Sequence, residues 1–123
     1  MEVNKVYKKA VITKWEVVYY QLLSYCFFNN IQVSEADLNC MVLFCLEYDG
    51  DISGFCIKVC ENEIFQTPQS VRNCLNKMVK KKLILRDKKN KKNTHMINPE
   101  MGIVYEGNIL LNYNFLAVET NKS

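Results

Sequence analysis

Apolar residues recur along this chain at two periods, and the change between them falls near Lys82. Before that point the spacing is three and four, which places the residues on one face of a helix. Thr13-Lys14-Trp15-Glu16 has the form of a capping box, in which the threonine side chain accepts from first-turn amides and the glutamate reaches back. Val17, Val18, Leu22, Cys26 and Phe27 extend an apolar stripe until Asn29-Asn30 stops it. Ser34-Glu35-Ala36-Asp37 predicts a second start, followed by Leu38, Met41, Val42, Cys45 and Leu46 and ended by Asp49-Gly50. A third, shorter helix is predicted from about Ser53 to Phe65. The fourth has the clearest start: Thr67 as N-cap and Pro68 at the first helical position, where its missing N–H costs nothing. Val71, Cys74, Leu75, Met78 and Val79 form its apolar face, and Gln69, Arg72, Asn73, Asn76, Lys77 and Lys80 point the other way.

After Lys82 the pattern turns β-prone. Leu83-Ile84-Leu85 predicts a strand, Asp87 to Asn93 a polar and charged tip, and Thr94 to Asn98 a returning strand that Pro99 ends. The tail from Gly107 to Val118 is apolar with Asn112 and Asn114 interleaved, a pattern that leaves strand and helix open, as it does strand or free arm for the first residues. The expected fold class is therefore α+β in one domain: residues 1–12 an N-terminal arm or strand, 13–82 helical, 83–101 a hairpin, and 102–123 a C-terminal strand or helix. At 123 residues and 49% hydrophobic composition the chain can bury a real core.

Charge changes this picture more than composition does. Ten of the sixteen basic residues lie between Gln66 and Met96, where Asp87 is the one acid, giving +9 against −6 elsewhere. A net charge of +3 thus hides a concentrated positive patch, the electrostatic footprint of a nucleic-acid reader. A solvated basic surface is the plainer explanation of the same charges.

Several function classes drop away. No run of about 18 apolar residues predicts a membrane span. The start MEVNKVYKKAVITKW lacks the apolar block and cleavage site of a secretory signal, so the expected location is the cytoplasm of a bacterial host. Six cysteines (Cys26, Cys40, Cys45, Cys56, Cys60 and Cys74) sit among apolar residues with no C-x-x-C, and read as small buried hydrophobes rather than metal ligands or disulfides. Catalysis is not expected: the single histidine, His95, reads as a surface strand residue, and no phosphate loop, nucleophile elbow or paired-histidine ligand set is present. Glu47, Asp49 and Asp51 lack the spacing of a calcium loop and read as a helix-ending turn. Neither a cofactor nor a small-molecule substrate is implied.

A short helix, a turn, a capped helix with a polar outer face and a basic hairpin follow one another in the order of a winged helix-turn-helix. In that arrangement the 68–82 helix enters a major groove, with Gln69, Arg72 and Asn73 nearest the bases and Ser70 and Asn76 also expected to bind DNA. Lys77, Lys80, Lys81 and Lys82 would contact phosphates, and Lys88, Lys89, Lys91 and Lys92 would lie along an adjacent backbone or minor groove. The run from Gln69 to Met101 also resembles the winged-helix part of replication initiators from plasmids and phages, through Ser70-Val71 with Arg72-Asn73, Leu83-Ile84 and Ile97-Asn98-Pro99. The resemblance covers about a quarter of the chain. It departs from the family at Lys82, where a helix-ending glycine is common, and after Pro99, where an aromatic-rich stretch is usual.

The expected partner is double-stranded DNA, read at an origin or promoter, with a homodimer or higher homo-oligomer compatible with groove reading. The alternative is a structural subunit of a phage particle, located in the virion, that uses the same scaffold for protein contacts. It draws on Trp15, Tyr19, Tyr20, Phe27, Phe28, Tyr105, Tyr113 and Phe115, more aromatic surface than a small domain hides; about two-thirds of these are expected to fill the core.

Overall fold

Four helices and two pairs of antiparallel strands make an α+β arrangement in the computed structural model, which describes residues 4–9, 13–87, 94–105 and 110–115. In chain order these are β1 (Asn4–Lys9), α1 (Lys14–Phe28), α2 (Glu35–Glu47), α3 (Ile52–Glu61), α4 (Pro68–Lys80), β2 (Ile84–Asp87), β3 (Thr94–Ile97) and β4 (Leu110–Phe115), with a short 3-10 turn at Pro99–Met101. The basic tip between β2 and β3 lies outside the described residues. None of the described helices is long and apolar enough to cross a membrane.

Each helix starts where a side chain can take up its first amides. The Thr13 hydroxyl accepts from the Glu16 amide at 3.2 Å while the Glu16 carboxylate accepts from the Thr13 amide, so the capping box forms as expected. Ser34 caps α2 through the Asp37 amide, and Thr67 caps α4 through the Ser70 amide. The third helix differs from expectation at both ends. Asp51 caps it by accepting from Ser53, which starts it at Ile52, and it stops at Glu61 rather than Phe65.

Three helices end in the same way. At α1, α3 and α4 the chain passes through a left-handed residue (Asn30, Glu63 and Lys82, φ 58°, 58° and 61°), and the following amide bonds back to the carbonyl five residues earlier in the Schellman pattern. Lys82 thus adopts the conformation glycine takes at the same place, which accounts for its position in the sequence. An L-residue there costs on the order of 1 kcal/mol.

The core is centred on α2. Leu38, Cys40, Met41, Val42, Leu43 and Phe44 are all buried, more of the circumference than one apolar stripe supplies, because α1, α3 and α4 all pack against it. Val18, Leu22 and Cys26 of α1, Phe55, Cys56 and Val59 of α3, Val71, Cys74, Leu75 and Met78 of α4, and Leu83 and Ile84 at the hairpin base complete it. Cys26, Cys40, Cys56 and Cys74 are buried free thiols, and Cys45 and Cys60 are half-buried. Phe27 is a correction: it falls outside the stripe and is 78% exposed beside the equally exposed Phe28, the two rings edge to face at 5.5 Å.

The hairpin is tied to the helices through its base. The Asn98 amide donates to the Leu83 carbonyl at 3.0 Å, its side-chain Nδ2 donates to the Lys82 carbonyl at 2.8 Å, and its Oδ1 accepts from Glu100. Buried Asn98 therefore holds the left-handed residue that ends α4 and the end of β3 together, a structural use for Ile97-Asn98-Pro99. Beyond it, the Gln21 side chain of α1 donates to the Val104 carbonyl at 2.7 Å and accepts from its amide at 2.8 Å. The chain then reaches β4, which is a strand and pairs with β1 from Asn4 opposite Phe115 to Lys9 opposite Leu110.

Candidate nucleic-acid interface

Amphipathic α4 supplies the most developed polar surface among the described residues. Gln69, Asn73, Asn76 and Lys80 are four, three and four residues apart, so they share one exposed stripe. At its first turn the Gln69 amide donates to the Asn73 Oδ1 at 3.0 Å, which presents the two carboxamides as a unit. Ser70 is drawn into the cap instead, its hydroxyl 2.9 Å from that of Thr67 and its amide bonded to the same oxygen.

The two flanks of this stripe have different partners. On one side Arg72 reaches α3, where its Nη2 donates to the Ser53 hydroxyl at 3.4 Å. On the other, the Lys77 Nζ lies 3.0 Å from Asp37 Oδ2 in α2, and the Lys81 ammonium donates to the Gln32 carbonyl. Asp37 is a carboxylate buried in the first turn of α2. Burial alone would raise its pKa; hydrogen bonding to Lys77, Cys74 and Ser34, with the Lys77 charge, outweighs burial and holds it below the ordinary carboxylate value. The hydrogen bond to Asp37 raises Lys77 in turn. A helix N-terminus adds favourable partial charge for Asp37.

Strand parity brings the hairpin to the Arg72 flank. Arg86 lies opposite His95 in the β2–β3 register, and both are two residues from the Ile84–Ile97 pair that faces the core. They therefore share the core-facing side of the hairpin, with His95 buried and Arg86 still exposed, while Leu85 and Met96 lie on the opposite, exposed side. His95 is buried, 9% exposed, which corrects the expectation of a surface strand residue. Arg86 and His95 meet Arg72, Leu75 and Asn76 of α4 and Ile52 of α3 around one cleft of about 310 Å³.

Of the residues expected to touch nucleic acid, Arg72 and Asn76 are thus brought together at this cleft, and Gln69, Asn73 and Lys80 stand on the adjoining stripe. Lys77 and Lys81 lean towards α2, Lys82 is exposed at the end of α4, and Lys88, Lys89, Lys91 and Lys92 lie outside the described residues. Neither Arg86 nor His95 stands among the contacts expected from sequence; the signal for them is their spacing of two from Ile84 and Ile97. Among the described residues no group of three or more histidine, cysteine or acidic side chains is placed to hold a metal ion. Comparisons with protein-family models, with curated proteins and with solved structures give no match to this chain.

Proposed function

We propose that the chain is a winged-helix DNA-binding protein. In this proposal α3 and α4 form the helix-turn-helix, α4 enters the major groove and the β2–β3 hairpin is the wing. The observation that carries it is the exposed stripe Gln69, Asn73, Asn76 and Lys80 running beside a cleft where arginines of helix and hairpin converge. Carboxamides are suited to bidentate bonds with adenine and guanidinium groups with guanine, whereas the lysines at the end of α4 and in the hairpin tip suit phosphates. By its resemblance to plasmid and phage initiators, the protein acts at an origin or promoter by binding alone.

Duplex affinity measured against salt concentration tests this directly. Each phosphate neutralised contributes about −0.9 to the slope of log affinity on log salt, so a steep negative slope is expected and a flat one removes the proposal. Within it, Arg72→Ala relaxes base preference and Lys89→Ala weakens all sequences alike; equal loss of selectivity in both breaks this division of roles.

One observation favours a second reading, a particle subunit built on protein contacts. Tyr20, Leu23, Phe27 and Phe28 of α1 are exposed, a concentration of apolar surface unusual for a monomer. Light scattering separates the two: a large closed ring that retains no DNA supports the subunit, and a monomer or dimer that binds DNA supports the regulator.

A further inference from the structure

The cleft between α3, α4 and the hairpin base is lined by two guanidinium groups, an imidazole and a carboxamide, and none of its six lining residues is acidic. Among the described residues neither Arg72 nor Arg86 forms an ion pair, and the Arg72 contact at 3.4 Å is to a neutral hydroxyl. Cations gathered in this way repel one another unless an anion lies between them. The cleft is also pre-built. Arg72 and Asn76 are one turn apart on a capped helix, and Arg86 is fixed opposite His95 by strand register. Its apolar wall, buried Leu75 and half-buried Ile52, keeps part of the boundary poor in water, which strengthens charge interactions inside. Among the oxyanions, a tetrahedral one is favoured because two guanidinium forks approaching from separate elements bond different oxygens of one centre.

We propose that this cleft is a socket for a phosphoryl group. At about 310 Å³ it lies at the small end of the range for ligand clefts, enough for a phosphate with part of an attached sugar. Two sources share this chemistry, a phosphodiester of a DNA strand and the phosphomonoester of a free nucleotide. Only the first rests on the DNA-binding proposal above.

The test follows the side-chain resonances of His95 and Asn76 by NMR in the full chain while inorganic phosphate is added at constant ionic strength. A saturable shift is expected. Arg86→Lys, which keeps the charge and loses the fork, is expected to weaken it about tenfold, as is Arg72→Gln, whereas Lys14→Gln on α1 leaves it unchanged. A backbone amide spectrum matching the wild type shows that the Arg86→Lys variant is folded. Two further arms identify the source. Displacement of bound phosphate by a short duplex assigns the socket to the DNA backbone; tighter binding of a 5′-deoxymononucleotide, with no displacement by duplex, assigns it to a free phosphomonoester. Absence of a saturable shift, or a shift that both arginine variants leave intact, overturns the socket. A steep salt dependence of duplex affinity alongside that failure leaves the DNA-binding proposal standing; a flat one alongside a working socket removes the DNA-binding proposal and leaves the socket with a free phosphomonoester as its source.

Discussion

Arg72 and Lys77 sit five residues apart on α4, both exposed, and they are committed to opposite ends. Lys77 neutralises a carboxylate that is 5% exposed, so its charge belongs to the fold. Arg72 touches a neutral hydroxyl and lines a cleft with no acid among its described lining residues, so no described carboxylate neutralises it. The difference teaches that a basic helix face is not one electrostatic object: each cation has to be assigned by what already neutralises it.

The largest effect expected from this contrast is on stability. Lys77→Met leaves Asp37 buried without its partner and costs about 2 kcal/mol at neutral pH, less than the roughly 3–5 of a fully buried pair because half of the lysine is in solvent. Arg72→Met costs less than about 0.5 kcal/mol. The pH dependence has a definite sign. Asp37 is lowered, so its contribution is complete above its unfolded value and is lost as pH falls through the folded one. Lys77 is raised, so its contribution is present below its unfolded value and lost as pH rises through the folded one. Denaturant midpoints of wild type and Lys77→Met should therefore differ most near neutrality and converge only as pH falls through the lowered Asp37 value. Equal losses for both substitutions would erase the contrast.

A smaller effect, about 1–2 kcal/mol, is expected from Asn98→Ala, which removes the part-buried side-chain hydrogen bond to the Lys82 carbonyl. The damage should fall on one flank only. His95 and Asn76 resonances should move with the hairpin, while the acid-side stability profile set by Asp37 and Lys77 keeps its shape. The smallest effect separates charge from stability at a single position. Lys82→Gly relieves the left-handed φ of 61° and should raise stability by up to about 1 kcal/mol while removing a cation from the end of α4. If Lys82 touches a phosphate, the salt slope falls by about 0.9 in the same variant.

What the sequence makes legible is local chemistry. Thr13, Ser34 and Thr67-Pro68 mark their helices because a cap and its amides lie within three residues of each other. Asp51, the cap of α3, reads instead as part of the turn that ends α2, because Asp49 and Gly50 stand beside it and Asp49 accepts from the Asp51 amide. The rest depends on separation. Lys77 reads as a phosphate contact because nothing near it reveals Asp37, forty residues away. His95 reads as a surface residue because its side is set by pairing with Arg86, and the segment that forms β4 reads equally as strand or helix because its partner strand is β1, at the other end of the chain. Phe27 reads as core because it continues the run of Val18, Leu22 and Cys26, and spacing alone cannot show that it faces away from the elements packed on α1.

Gln21 offers its carboxamide to Val104 as a neighbouring strand would offer a peptide group, one donor and one acceptor side by side. The segment leaving the hairpin can therefore settle on a helix without a sheet edge to receive it. That contact lays the chain at Val104 against α1, a different helix from the one that carries the Gln69-to-Lys80 stripe.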